Sequence, residues 1–215
     1  MKSIYIAIIV TTIIYGPRFY KFLKEKVHKI PKARFEEQLT AFKELGYTFN
    51  KNMDKDDLLS LYNKEDYEAE PYSLLYLGWA EIADTKDKPI SNNCWHFDYE
   101  SIENEGDYVA IIKNIERISD GQLNFTNVQD NIDFDNETAW VSFDINGTHY
   151  KYDLTFDNDW ADHTLFENIQ ELAEKHNTTG KFTVYPLGQS VIFDFMTEAE
   201  LEQFKKTTKL APEWL

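Results

Sequence analysis

The sequence predicts an α+β fold: an antiparallel sheet with helices packed on one face, preceded by an N-terminal hydrophobic anchor helix and a basic stalk. Hairpin patterns dominate the second half of the chain, and the strand–helix–strand rhythm of a parallel sheet is missing. The 215 residues are 42% hydrophobic and 15% aromatic, which is enough for one sizeable core. We therefore expect an anchor and stalk over residues 1–33 and one acidic α+β domain over residues 34–215.

Residues 3–16 form an uncharged, mostly apolar segment, and a basic amphipathic stretch follows Pro17. Three interpretations are open: a short membrane anchor, a cleaved signal peptide, or a buried core helix or strand. The segment is shorter than the ~20 residues of a full span, and it lacks the small residues that precede a signal cleavage site. The basic flank favours the anchor, because such a stretch suits an anionic membrane surface.

The anchor interpretation also predicts a location. By the positive-inside rule the basic flank stays in the cytoplasm, so we expect a single-pass inner-membrane protein whose body faces the cytoplasm. The residues expected to contact the membrane are Ile4, Ile8, Ile9, Ile13, Arg18, Lys21 and Lys24.

Charge is distributed unevenly along the chain. Residues 1–34 contain eight basic residues and one acid, which gives +7; the whole chain carries −16, so the remainder carries −23. Phosphate groups repel such a surface, and we expect no nucleic-acid partner. A basic protein or a cation is favoured instead.

The first half of the body predicts three helices. Apolar residues recur at helical spacing over residues 35–45, and Gly46 is placed to end that helix. An acidic helix follows over residues 54–62. Pro71 suits the first turn of a third helix over residues 72–82, which is apolar on nearly every side and therefore buried.

The middle of the chain predicts a strand over residues 94–99 and a helix over residues 107–118, whose isoleucines fall on one face. A hairpin follows. Residues 141–145 and 150–156 alternate between apolar and polar, and Asn146-Gly147 between them is typical of a type I′ turn.

The end of the chain predicts a helix, two strands and a last helix. Asp162 is placed to cap the first of these helices. Residues 182–187 and 191–195 have strand composition on either side of a glycine turn. Thr197 and Glu200 have the spacing of a capping box, which predicts the start of the last helix.

Motifs for nucleotide, zinc and thiol chemistry are weak or missing. No glycine cluster of a phosphate-binding loop occurs, and no histidine pair has zinc-ligand spacing. Cys94 and His96 lie two apart in a predicted strand, so their side chains point to the same face. No third group that would orient them is marked, and a buried free cysteine is the simpler interpretation. We expect no catalytic residue, no cofactor and no metal.

Acidic clusters are the main excess of this sequence. They are Asp98 with Glu100, the trio Asp130, Asp133 and Asp135, and the stretch Asp157-Asn158-Asp159-Trp160-Ala161-Asp162. Such acids often cap helices and end strands. A protein-binding face is a second interpretation. A Ca²⁺ site or a pair of glycosidase carboxylates is a third, although the EF-hand pattern is incomplete and nothing determines which two carboxylates would pair.

Five short stretches of the second half, taken together, form one recognisable pattern. They are Asp98-Tyr99-Glu100-Ser101-Ile102, then Gly106-Asp107-Tyr108, then Phe156 to Asp162 followed by a helix, then Gly188-Gln189, and last Thr197 opening a helix. In these stretches the chain resembles immunity proteins, the small acidic proteins encoded beside bacterial polymorphic or contact-dependent toxins. The resemblance covers about half of the chain. It implies a non-catalytic inhibitor of one toxin domain, and it assigns no binding residues.

We therefore expect a non-catalytic acidic binding protein, anchored at the membrane, that inhibits a cognate basic toxin domain. A glycan-acting, carboxylate-dependent hydrolase on the outer face of the membrane, or a structural subunit of a membrane complex, is the alternative. An exposed Trp160 among carboxylates would anchor a basic partner, whereas a Trp160 packed beside Phe156 and Leu165 would belong to the core. The residues expected to contact the partner are Asp98, Glu100, Asp157, Asp159, Trp160 and Asp162.

Overall fold

The computed structural model describes residues 32–83 and 86–215. The predicted membrane-contacting residues lie outside the described residues; they are Ile4, Ile8, Ile9, Ile13, Arg18, Lys21 and Lys24. Within the described ranges, every helix is too short or too polar to cross a bilayer. This part of the chain is α+β, with seven helices and antiparallel sheets, which confirms the α+β class and the antiparallel pairing. The predicted anchor helix and nearly all of the predicted stalk lie outside the described residues.

The four helices of the first half are short. They are α1 (Phe35–Glu44), α2 (Lys55–Leu61), α3 (Lys64–Ala69) and α4 (Ser73–Ala80). The predicted helices correspond to α1, α2 and α4, whereas α3 was not predicted. The side chains of Asp54 and Asn63 cap α2 and α3 by accepting hydrogen bonds from backbone N–H groups.

The helix α4 begins two residues later than Pro71, because Tyr72 adopts a left-handed backbone with φ +64°. The buried side chain of Gln38 holds this turn, since its Oε1 accepts a hydrogen bond from the Tyr72 N–H at 2.8 Å. The Gln38 Nε2 donates to the carbonyls of Ala33 and Tyr67, both at 2.9 Å. One amide therefore connects α1, α3 and the start of α4.

The strands form three antiparallel sheets. The first sheet consists of two strands of two residues each, β1 (Ile82–Ala83) and β2 (Lys88–Pro89). The central sheet has the order β3-β8-β7-β9, and a three-stranded sheet has the order β4-β5-β6. The remaining strands are β3 (Cys94–Asp98), β4 (Phe125–Asp133), β5 (Thr138–Ile145), β6 (Thr148–Leu154), β7 (Lys181–Pro186), β8 (Ser190–Met196) and β9 (Glu213–Trp214).

Three helices complete the second half, and all three were predicted. They are α5 (Asp107–Ile118), α6 (Thr164–Lys175) and α7 (Glu198–Thr208). The predicted hairpin is also confirmed, with Asn146 at φ +51° and Gly147 at φ +77° in the turn between β5 and β6. Asparagine and glycine tolerate this left-handed backbone, which a type I′ turn requires.

The prediction that helices pack on one face of the sheet was wrong for the central sheet, because helices pack against both of its faces. Successive residues of β8 point to opposite sides, and both sides are buried. Phe193 belongs to a core that includes α5, α6 and the inner face of the three-stranded sheet. Ile192 belongs to a second core that includes α1, α4 and α7. The sheet is thus the shared middle layer between two cores.

Candidate protein-binding surface

Two of the predicted acidic clusters meet in space. The backbones of Glu100 and Trp160 form an antiparallel bridge. On either side of it, the Ala161 N–H donates to the Tyr99 carbonyl at 2.8 Å, and the Ile102 N–H donates to the Asp159 carbonyl at 2.8 Å. The chain leaving β3 and the loop between β6 and α6 therefore run side by side.

The loop between β6 and α6 turns tightly enough to present its side chains outward. The Trp160 N–H donates to the Asp157 carbonyl at 3.0 Å, and Asn158 between them has φ +52°. Asparagine tolerates this left-handed backbone better than most residues. Asp157, Asp159 and Trp160 are all exposed.

The turn between β7 and β8 joins the first cluster. The Gln189 Nε2 donates to both oxygens of Asp98, at 3.2 and 3.3 Å, and to Glu100 Oε2 at 3.1 Å. The Tyr99 N–H also donates to the Gln189 carbonyl, at 3.3 Å. A neutral amide therefore holds two carboxylates close together without cancelling their charge.

A third acidic segment lies against the other two. Both oxygens of Asp130 accept hydrogen bonds from the Gly106 N–H, at 2.9 and 3.0 Å, at the start of α5. The Asn131 side chain donates to Glu105 at 3.0 Å. The rings of Phe134 and Phe156 meet edge to face, with their centroids 5.4 Å apart. The turn between β4 and β5 is thereby placed beside the start of the loop that carries Trp160.

We call residues 98–107, 130–137 and 157–162 together the acidic face. They contain five, four and three acids respectively, twelve in all, and no lysine or arginine. Among the described residues, none of these carboxylates forms an ion pair with a lysine, arginine or histidine. Within the described residues, this face therefore carries uncompensated negative charge.

Large apolar side chains are exposed on and beside this face. Trp160 is 40% exposed, Phe134 45% and Leu187 37%. A cleft of about 370 Å³ opens there, lined by Tyr99, Thr155, Asp157, Trp160, Ala161, Asp162, His163 and Thr164. An exposed tryptophan among charged side chains is typical of an interface anchor and not of a core residue.

Asp162 differs from the other predicted contact residues because its side chain points inward and is only 7% exposed. Its carboxylate accepts hydrogen bonds from the Thr155 N–H at 2.6 Å and from the Thr164 N–H and hydroxyl at 2.9 and 2.8 Å. Burial raises the pKa of Asp162, but these hydrogen bonds outweigh burial, so the pKa lies below its ordinary value. Asp162 therefore caps α6 and supports the loop from inside.

A buried polar cluster on the opposite side of the central sheet was not predicted. The Asp194 carboxylate, on β8, accepts hydrogen bonds from the Tyr47 hydroxyl and, at 3.3 Å, from the Tyr76 hydroxyl. Burial raises the pKa of Asp194 to about 7, although the two hydroxyls act in the other direction. A cavity of about 50 Å³, the size of one or two water molecules, lies beside it. In the sequence, this buried cluster is indicated by Asp194 itself, an acidic residue within the otherwise apolar stretch Val191 to Phe195.

Cys94 and His96 find different partners. The Cys94 thiol is fully buried beside Asp194, and burial together with the Asp194 charge raises its pKa well above the ordinary value. The His96 Nδ1 lies 2.9 Å from Glu81 Oε1. A thiol with a raised pKa is a poor nucleophile, so this pair does not form an activated thiol site.

Within residues 32–83 and 86–215, no group of three or more histidine, cysteine, aspartate or glutamate side chains is placed to hold a metal ion. No protein-family model, no curated protein and no solved structure matches this chain.

Proposed function

We propose that this protein is a non-catalytic acidic binding protein, an immunity protein that inhibits a cognate basic toxin domain by docking it on the acidic face. The observation that carries the proposal is the convergence of three acidic segments around the exposed Trp160, without a lysine or arginine among them. The resemblance of residues 98–204 to immunity proteins points to the same class of partner.

Electrostatics supports a basic protein as the partner. Uncompensated carboxylates on one face attract a basic surface over roughly a Debye length, about 8 Å at physiological salt, and raise the rate of encounter. Asp98, Glu100, Asp157 and Asp159 lie on this face around Trp160. An aromatic side chain at the centre of a charged patch supplies the apolar contact that a purely ionic encounter lacks.

Rigidity of the acidic face also supports binding. The bridge between Glu100 and Trp160 and the hydrogen bonds of Asp130 and Asp162 hold the three segments in place. A partner that binds a preformed surface loses little free energy to ordering it. Inhibition by such docking requires no catalytic group, because occlusion of the toxin's surface suffices.

We propose in addition that residues 1–33 form an N-terminal membrane anchor and a basic stalk. The basic flank after Pro17 supports a body on the cytoplasmic side, where a toxin that enters through the membrane would be met. Reporters that are active only in the cytoplasm or only in the periplasm, fused to the C-terminus, test this orientation. A periplasmic signal would overturn the orientation and favour an extracellular ligand.

Co-expression with the product of the adjacent gene tests the proposed function. We expect that product to be toxic alone and harmless beside this protein. The variant D98N/E100Q/D157N/D159N should lose protection and complex formation. The control variant E44Q/E65Q/E167Q/E202Q removes four exposed acids outside the acidic face, so both variants change the formal net charge of −16 by +4.

The two variants separate local recognition from bulk charge. If both lose protection equally, net charge and not the acidic face accounts for the effect, and the proposed surface is wrong. Normal circular dichroism of both variants shows that each is folded.

A further inference from the structure

The cleft beside Trp160 has a specific composition. Its lining combines two aromatic residues, Tyr99 and Trp160, with the exposed carboxylate of Asp157. Among the described residues, no hydrogen bond or ion pair engages the Asp157 side chain. The cleft therefore offers aromatic surface and an unpaired anionic group within one concave site.

The two aromatic residues are held by their backbones. The Tyr99 carbonyl accepts a hydrogen bond of 2.8 Å from the N–H of Ala161, the residue that follows Trp160 in the chain. The Tyr99 ring is fixed further by edge-to-face contacts with Phe97 and Phe166, with centroids 5.2 and 5.7 Å apart. The cleft wall is thus built on the same backbone pairing that joins the acidic segments.

We infer that this cleft binds the side chain of an arginine presented by the protein partner, with the guanidinium against the aromatic residues and paired with Asp157. The inference rests on the proposed function, because it names the group through which the acidic face recognises its partner.

Arginine fits this composition better than the other side chains do. A guanidinium is planar and stacks on aromatic faces, and its fork of N–H donors matches a carboxylate. A lysine ammonium is a compact, strongly hydrated charge that gains less from an aromatic wall. An apolar side chain would leave the Asp157 carboxylate beside it without a partner. The cleft volume of about 370 Å³ exceeds that of one extended arginine side chain and leaves room for its neighbouring backbone.

Fluorine NMR on the full chain labelled with 5-fluorotryptophan tests the inference. The five tryptophans should give five resonances, and the W160F variant identifies that of Trp160. The probe is arginine blocked at both ends as Nα-acetyl-arginine N-methylamide. We expect it to shift the Trp160 resonance with a dissociation constant of about 1 to 10 mM, as is reasonable for one side chain.

Matched controls isolate the contribution of charge and position. The citrulline analogue of the probe has the same shape without the charge, and it should leave the Trp160 resonance in place. Trp214 is also 40% exposed but lies on β9, outside the cleft, and its resonance should not move. D157N should weaken binding of the probe at least fivefold, whereas E103Q, which removes an exposed acid of the same face outside the cleft, should change it less than twofold.

Each outcome bears on a different claim. Equal shifts with the arginine and citrulline analogues, or equal effects of D157N and E103Q, would overturn the arginine inference. If the probe fails to bind while the acidic-face variant still loses its partner, the cleft assignment is wrong and the proposed function stands. If the probe binds as expected while the adjacent gene product ignores the protein, the cleft assignment stands and the proposed partner is wrong.

Discussion

Glu100 and Trp160 are far apart in the sequence, and their backbones form an antiparallel bridge. The bridge turns two acidic stretches, each of which resembles an ordinary turn or helix cap, into one surface. The bridge also orients Trp160 towards solvent. Trp160 is 40% exposed and therefore does not belong to the core beside Leu165. The candidate surface is therefore a product of the fold and not of a local motif.

Gln189 supplies a way to alter this surface without removing an acid. Because its amide contacts both Asp98 and Glu100, the variant Q189K should place an ammonium between two carboxylates. We expect stability to stay equal or rise slightly and affinity for a basic partner to fall about tenfold. Urea denaturation and surface plasmon resonance measure the two effects.

The control for this prediction is Q203K, which adds the same charge at an exposed position of α7. Equal affinities of Q189K and Q203K would show that the pair Asp98 and Glu100 does not contact the partner.

Removing the side chain of Asp162 should destabilise the fold, whereas removing that of Asp159 should not. D162A removes three hydrogen bonds and leaves the N–H groups of Thr155 and Thr164 without their acceptor, so we expect a loss of ~2–3 kcal/mol in the free energy of unfolding. D159A removes an exposed side chain and should change stability by less than ~0.5 kcal/mol. Urea denaturation of both variants checks this, and similar losses would contradict the capping role of Asp162.

The buried acid Asp194 should make stability depend on pH. Its pKa in the folded protein, about 7, lies above the ordinary value of 3.8, so between these values the folded state holds a proton that the unfolded state has released. Stability from this group is therefore greatest below about pH 4 and is lost as pH rises towards 7, by ~2–4 kcal/mol in total.

The variant D194N isolates this dependence because asparagine has the same shape and no charge. Its amide oxygen can still accept the hydrogen bond from the Phe195 N–H, which is 2.7 Å long in the native protein. The difference in free energy of unfolding between native protein and D194N should change steadily between pH 4.5 and 7.5. A constant difference across that range would show that Asp194 does not titrate there.

Cys94 should react only when the protein unfolds. Its thiol is fully buried and its pKa is raised, so both access and thiolate population are low. We expect alkylation by iodoacetamide at pH 8 to be at least about a thousandfold slower than in urea. Rapid alkylation of the folded protein would indicate that the second core opens locally around Asp194.

Local patterns in the sequence predicted most of the helices, the hairpin of β5 and β6, and the strands β3, β7 and β8. The hairpin at Asn146-Gly147 depends on the backbone preferences of two residues, and the helix Asp107–Ile118 on a regular apolar stripe. The strand β4 was missed because its register is interrupted between Thr126 and Gln129, where Asn127 has φ +52°. Such an irregularity disrupts the alternation by which strands are identified.

The candidate surface was predictable in its parts but not in its assembly. Asp98, Glu100 and the stretch from Asp157 to Asp162 stand out by composition alone. Their union depends on long-range pairing of backbone groups, which local periodicity does not encode. The inward orientation of Asp162 and the two-sided burial of β8 likewise depend on which elements pack on each side.

Hydrogen exchange with and without the partner is the most direct test of the acidic face. With the adjacent gene product bound to the full chain, we expect slower amide exchange in the acidic face (residues 98–107, 130–137 and 157–162) and in residues 187–190, and unchanged exchange in α1 and α7. Slower exchange confined to α1 and α7, with the acidic face unaffected, would contradict the proposed binding surface, because the partner would then dock on the opposite core.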